Sequence, residues 1–199
     1  LAKDLDEDIH AWRFRKLDKE YPYLVVDARY EKIRINHQVV SQGVLLAVGI
    51  GSDGYREILG TWVADSENET SWSEVFKELK ERGLKGVRYV VSDDHAGLVK
   101  AIGRHFQGVL WQRCQVHFVR NLCSVVSKKD RSKVVEMLRE ITTAQTYVTA
   151  RKRMDEAIEV LEKLHPKVAQ ILEENGEDIL TVYQLPVWQR RGMKSTNML

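Results

Sequence analysis

Residues 86 to 97, Gly-Val-Arg-Tyr-Val-Val-Ser-Asp-Asp-His-Ala-Gly, constrain the fold more than any other stretch of this chain. The apolar run from Val87 to Val91 enters an acidic pair and then a helix-compatible segment. That is the pattern of a buried strand whose end delivers Asp93 to a solvent-facing edge, with Asp94 left to cap the helix that follows. Where strands run parallel, ligands gather at their carboxyl ends, because loops there hold polar groups over a rigid scaffold. A second carboxylate at the same edge would make a metal site, and Tyr23-Leu-Val-Val-Asp27 is another apolar run with an aspartate built into it.

The segments around this stretch set its topology. Residues 1 to 22 read as an amphipathic helix or arm, with Leu5, Ile9, Trp12 and Phe14 at loose helical spacing ahead of Tyr21-Pro22. From Tyr23 to Arg34 the chain alternates, with Asp27 on the face shared by Val25 and Arg29. A second apolar strand over 38–51, the turn Ser52-Asp53-Gly54 and a third strand from Tyr55 to Ala64 continue an antiparallel meander. Asp65-Ser66-Glu67-Asn68 reads as a cap region for a helix whose apolar stripe is Trp72, Val75, Phe76 and Leu79, ended by Gly83. That helix is a crossover, so the strand at Val87 to Val91 can lie parallel to its neighbour. A helix from His95 to His105 and a fifth run from Gly108 to Trp111 follow. Three antiparallel strands, then helix, strand, helix, strand, is the order of an α/β, ribonuclease-H-like mixed sheet; that is analogy at the level of fold.

Beyond Arg113 the texture turns helical. Val134, Met137, Leu138 and Ile141, then Met154, Ala157, Ile158, Leu161 and Leu164, predict amphipathic helices through about residue 174, with Pro166 starting a new one and Pro186 marking a break. The chain thus divides into an arm at 1–22, a core at 23–113, a helical insertion at 114–189, and a final core segment from 190 to 199. With 43% hydrophobic and 30% charged residues the 199-residue chain can bury a core, which excludes a disordered polymer. A net charge of +2 leaves nucleic acid neither favoured nor excluded, so the placement of charge matters more than its sum. Two cysteines without a disulfide framework suit a reducing cytoplasm, and no apolar run is long enough to span a membrane.

Asp27 and Asp93 carry the chemistry most directly. Magnesium takes oxygen ligands and keeps waters, so two carboxylates from adjacent strands plus phosphate oxygens suit it, and two such ions can serve phosphodiester cleavage. The plainer alternative pairs Asp27 with Arg29 or Arg34 and leaves the second aspartate as a helix cap. Cys114-Gln-Val-His117 has the gap that lets a thiolate and an imidazole share zinc, yet it is half a site, and a buried cysteine beside a helical histidine explains it equally well. Basic residues at Arg113 and Arg120, and at Arg190, Arg191 and Lys194, are candidates for contact with a phosphate backbone; solvated helix faces are the alternative. Trp62, Trp72 and Phe76 read as core, and Trp111 and Trp188 as core or as base-stacking surfaces.

Several of these motifs, in this order, resemble mutator-type insertion-sequence transposases: Val-Val-Ser-Asp93-Asp-His-Ala-Gly-Leu, Trp-Gln-Arg-Cys114-Gln-Val-His117-Phe-Val-Arg-Asn121, Arg82-Gly-Leu-Lys-Gly-Val and Ser195-Thr-Asn197. The resemblance runs from about Asp4 to Leu199 and implies an Asp-Asp-Glu enzyme with a helical insertion before the helix that bears the glutamate. It makes Asp27 and Asp93 the first two carboxylates, ligands of two Mg2+ or Mn2+ ions. Cys114 and His117 match a family motif whose role the sequence does not explain. The implied chemistry is hydrolysis of phosphodiesters at element ends, then attack of the freed 3′-hydroxyl on target DNA, by a protein acting on double-stranded DNA as a homodimer or larger assembly in the cytoplasm, at the nucleoid in a prokaryote. The expected glutamate lies just after Thr-Asn, where residues 1–199 stop, so this stretch alone is expected to be inactive. A structure-selective nuclease of the same fold and a non-catalytic DNA-binding or assembly module are the alternatives.

Overall fold

In the computed structural model, which describes residues 2–35 and 37–197, the chain forms two compact units, Leu1–Leu110 and Trp111–Leu199. The start of the expected final helix at Met198 and Leu199 lies outside the described residues, as does the side chain of Leu5.

The first unit is built on long strands. β1 (Tyr23–Ile35) pairs antiparallel with β2 (Gln38–Ile50), and β2 pairs antiparallel with β3 (Arg56–Ala64), as the meander pattern requires. The irregularity between β2 and β3 falls at Ala47/Val48, where buried Leu59 is the extra residue. The crossover helix α2 (Glu69–Glu81) returns the chain to β4 (Tyr89–Ser92), which lies parallel to β1. α3 (Ala96–His105) leads to β5 (Leu110–Arg113), and the sheet order is β3-β2-β1-β4-β5. β4 starts two residues later than the apolar run, because Arg88 and Tyr89 first donate their N–H groups to the Pro22 carbonyl.

Leu24, Val25 and Val26 are all fully buried, as are Tyr89, Val90, Val91 and Ser92, so β4 and the start of β1 are covered on both faces. Each such apolar side chain stabilises the unit by roughly 1.5–3 kcal/mol relative to exposure. The stripe on α2 is buried as its spacing predicts, and a reciprocal pair of hydrogen bonds between Asn68 and Ser71 closes its N-terminus as a capping box. The N-terminal helix α1 (Ala2–Arg13) differs from expectation. Ile9, Trp12 and Phe14 stay exposed, and the anchor is Arg13, whose guanidinium binds the Glu78 carboxylate and lies over the Trp62 ring. Trp62 is accordingly half-buried, with its indole N–H donated to Glu78 at 2.8 Å.

The second unit is helical: α4 (Gln115–Ser124), α5 (Arg131–Thr142), α6 (Tyr147–Leu164), α7 (Pro166–Asn175), two 3-10 turns over 176–179 and 181–184, and α8 (Val187–Arg190). Val134, Leu138 and Ile141 on α5 and Met154, Ala157, Ile158 and Leu161 on α6 form its core. Leu164, placed in the same stripe by sequence, is 60% exposed, because α6 ends there and Pro166 opens α7. Trp188 is 80% exposed on the short α8, so its ring is not core.

Candidate active site

The parallel register of β1 on β4 pairs Tyr23 with Tyr89, Leu24 with Val90 and Val25 with Val91. Two residues further along each strand direction stand Asp27 and Asp93. Asp27 continues β1 on the face of Val25, whereas Asp93 lies just past the end of β4, one residue beyond Ser92. This is also where the sheet order reverses, between β1 and β4, the place where open sheets with parallel strands present a crevice. Both aspartates are half-buried.

Asp93 is held by its own turn: its Oδ1 accepts the His95 backbone N–H at 3.2 Å. The residue preceding α3 is His95, whose side chain makes no cap hydrogen bond, and the contact from Asp93 to the His95 N–H closes an Asx turn. On the other strand the Arg29 guanidinium pairs with Glu31.

A third carboxylate feels the charge of this pair. Glu67, read from sequence only as part of a cap region, has its side chain 7% exposed and accepts the Trp72 indole N–H at 2.9 Å. Its backbone N–H donates to the Tyr30 hydroxyl at 3.1 Å, and the His95 Nδ1 lies 3.7 Å from its carboxylate. Burial lifts the Glu67 carboxyl above the usual carboxylate range, and the charges of Asp93 and Asp27 lift it further, against the Trp72 hydrogen bond and His95. No periodic signal marks residue 67; the one hint is an acidic residue immediately before a helix cap. The close packing of α3 on this segment depends on Gly97, where a Cβ would meet the Glu69 backbone N at 2.5 Å and the Asn68 carbonyl carbon at 2.7 Å.

The remaining predicted residues belong to the second unit. Arg113 is 5% exposed, with its guanidinium over the Phe118 ring. Arg190 donates to the carbonyls of Leu185, Gln145 and Tyr183 and lies over the Tyr183 ring. Lys194 donates to the Thr142 carbonyl at 2.8 Å, and burial followed by the Arg190 charge lowers its pKa. These three cations spend their hydrogen bonds or ring contacts inside the unit, whereas Arg120 and Arg191 are exposed. Cys114 is fully buried, and His117 sits half-buried on the first turn of α4 with Nδ1 buried and not hydrogen-bonded among the described residues. Among the described residues no three His, Cys, Asp or Glu side chains converge to hold a metal ion.

The family model "Transposase, Mutator family" matches residues 1–199, and the chain belongs to that family. It is 41% identical over 199 residues to the transposase for insertion sequence element ISRM5 of Rhizobium meliloti (strain 1021), covering 100% of this chain and 50% of that protein. It is 36% identical to the transposase for insertion sequence element IS256 in transposon Tn4001 of Staphylococcus aureus, with 100% of this chain and 52% of that protein covered. The chain thus spans about half the length of the curated relatives it matches. Among solved structures, the Drosophila P element transposase strand transfer complex is similar with a TM-score of 0.35 and 14% identity over 93% of this chain and 53% of that one, too slight a likeness to argue from. Among the described residues no helix is long and apolar enough to cross a membrane.

Proposed function

We propose that Asp27 and Asp93 are the first two metal-binding carboxylates of a DNA transposase active site, on a sheet of the ribonuclease-H-like type. The observation that supports this reading is the parallel register of β1 on β4, which pairs Val25 with Val91, each two residues ahead of one of the aspartates. The donor set fits a hard divalent cation. It is all oxygen, and it offers few enough ligands for Mg2+ or Mn2+ to keep waters and take phosphate oxygens. When bound there, the ion pair supplies charge neutralisation at the reacting phosphodiester.

The chain's own residues bind and orient. Asp27 and Asp93 act as ligands and do not carry protons. The His95 N–H fixes the rotation of the Asp93 carboxylate. Glu67, fixed by Trp72, adds negative charge beside them. Arg120 and Arg191, exposed on the second unit, are the predicted cations left to meet the backbone of double-stranded DNA, with salt-dependent and sequence-tolerant affinity. The reaction is cleavage at element ends followed by joining of the 3′-hydroxyl to target DNA, within a dimer or larger assembly on the DNA.

The test is an assay of end cleavage and 3′-end joining by the transposase carrying Asp27→Asn or Asp93→Asn. Both steps are lost in each variant while the circular dichroism spectrum is unchanged. Retained cleavage by Asp93→Asn would contradict the assignment, and cleavage without joining by the parent enzyme would make it a nuclease.

A further inference from the structure

Cys114 and Thr196 touch although 82 residues separate them. The Thr196 backbone N–H donates to the Cys114 Sγ at 3.3 Å, and the Thr196 hydroxyl donates to the same sulfur at 3.5 Å. One residue along, the Gln115 N–H donates to the Lys194 carbonyl at 2.9 Å. The three side chains are out of solvent, with Cys114 at 0%, Thr196 at 1% and Gln115 at 6% exposure. The surroundings are braced in turn: the Gln115 amide donates to the Ile179 carbonyl at 2.9 Å and Lys194 to that of Thr142 at 2.8 Å.

Sulfur is a weak acceptor, but a buried N–H without any acceptor costs about 1–3 kcal/mol, so the identity of residue 114 decides whether the 194–196 segment can be buried there. An apolar side chain of similar size would fill the space and leave the Thr196 N–H and hydroxyl unanswered. We propose that Cys114, the cysteine of the Cys-x-x-His motif, is a positioning residue. Together with Gln115 it clamps the segment from Lys194 to Thr196 where β5 gives way to α4, and it thereby fixes the point from which Asn197 departs. The catalytic consequence rests on the transposase reading above, in which the stretch beginning at Ser195-Thr196-Asn197 presents the remaining carboxylate.

Amide exchange followed by NMR in residues 1–199 tests the clamp. In Cys114→Ala, exchange at Thr196 is expected to quicken about five- to tenfold, the loss of one buried hydrogen bond, while amides in α6 stay within about twofold. Cys114→Ser keeps an acceptor and restores most of the protection, whereas a cysteine needed only for packing would leave Ser no better than Ala. Should Cys114→Ala fail to fold, alkylation decides: with Cys123→Ser in place, Thr196→Gly uncovers the Cys114 thiol and raises its iodoacetamide rate about tenfold. Unchanged Thr196 exchange in Cys114→Ala, or unchanged alkylation in Thr196→Gly, overturns the clamp. In the transposase carrying Cys114→Ala, strand cleavage is expected to fall with DNA affinity unaltered. Faster Thr196 exchange with cleavage intact would leave the clamp standing and overturn its catalytic consequence.

Discussion

Asp93 has two duties that different substitutions separate. One carboxylate oxygen closes the turn onto the His95 N–H, and the negative charge serves the rim. Asparagine keeps the acceptor and removes the charge, so Asp93→Asn is expected to match the parent in stability within about 0.5 kcal/mol, because it also relieves repulsion with Glu67. Asp93→Ala loses the turn and is expected to cost about 1 kcal/mol, measured by urea unfolding. The two aspartates were legible in the sequence because each ends an apolar run that reads as a strand. Glu67 was not, since its contact with Trp72 and its electrostatic coupling to Asp27 and Asp93 arise only when the segment before α2 folds over the end of β4. Arg190 and Lys194 were legible as charge only. Whether a cation faces phosphate or a carbonyl of its own chain is decided by loop geometry, and theirs go to carbonyls.

At the scale of elements, the approach of α3 to the N-terminus of α2 positions the rim. Gly97 permits that approach, since any Cβ there would collide with the Asn68 and Glu69 backbone, which has no flexible end to give way. Gly97→Ala is therefore expected to destabilise the protein by about 1–3 kcal/mol despite alanine's better helix propensity, with the shift read in thermal unfolding. It should also perturb the indole N–H resonance of Trp72 through displacement of Glu67. The strands, α2 and the α5 and α6 stripes were readable because period-2 and period-3.6 patterns survive wherever one face is buried. Among the described residues of α1, Ile9 and Trp12 are exposed, and the Arg13–Glu78 ion pair, reinforced by the Trp62 ring, anchors the helix. Contacts between residues far apart in the chain, such as Cys114 with Thr196, leave no periodic trace at all.

Across the whole molecule, the first unit concentrates its ionic anchoring on two carboxylates. Burial alone would raise both, but hydrogen bonds from Tyr21, Arg15 and Lys19 hold Glu57 below its usual range, and those from Arg13 and Trp62 do the same for Glu78. A carboxylate depressed in the folded state stabilises it above the unfolded-state pKa. That contribution is lost as pH falls through the ordinary glutamate range and on through the lower folded values. Stability is thus expected to be flat from neutrality to about pH 5 and to fall below it, and Glu78→Gln should flatten the acid limb while lowering stability at pH 7 by about 1–3 kcal/mol. Family membership spans both units, and the chemistry proposed for the chain requires its two aspartates to meet at a cation.

Manganese titration of residues 1–199 followed by paramagnetic broadening of backbone amides reads that meeting directly. Broadening should begin at the amides around Asp27 and Asp93, with Glu67 next, and Asp27→Asn or Asp93→Asn should each abolish it. Broadening that begins elsewhere, or that survives both substitutions, would remove the metal site from the rim of β1 and β4.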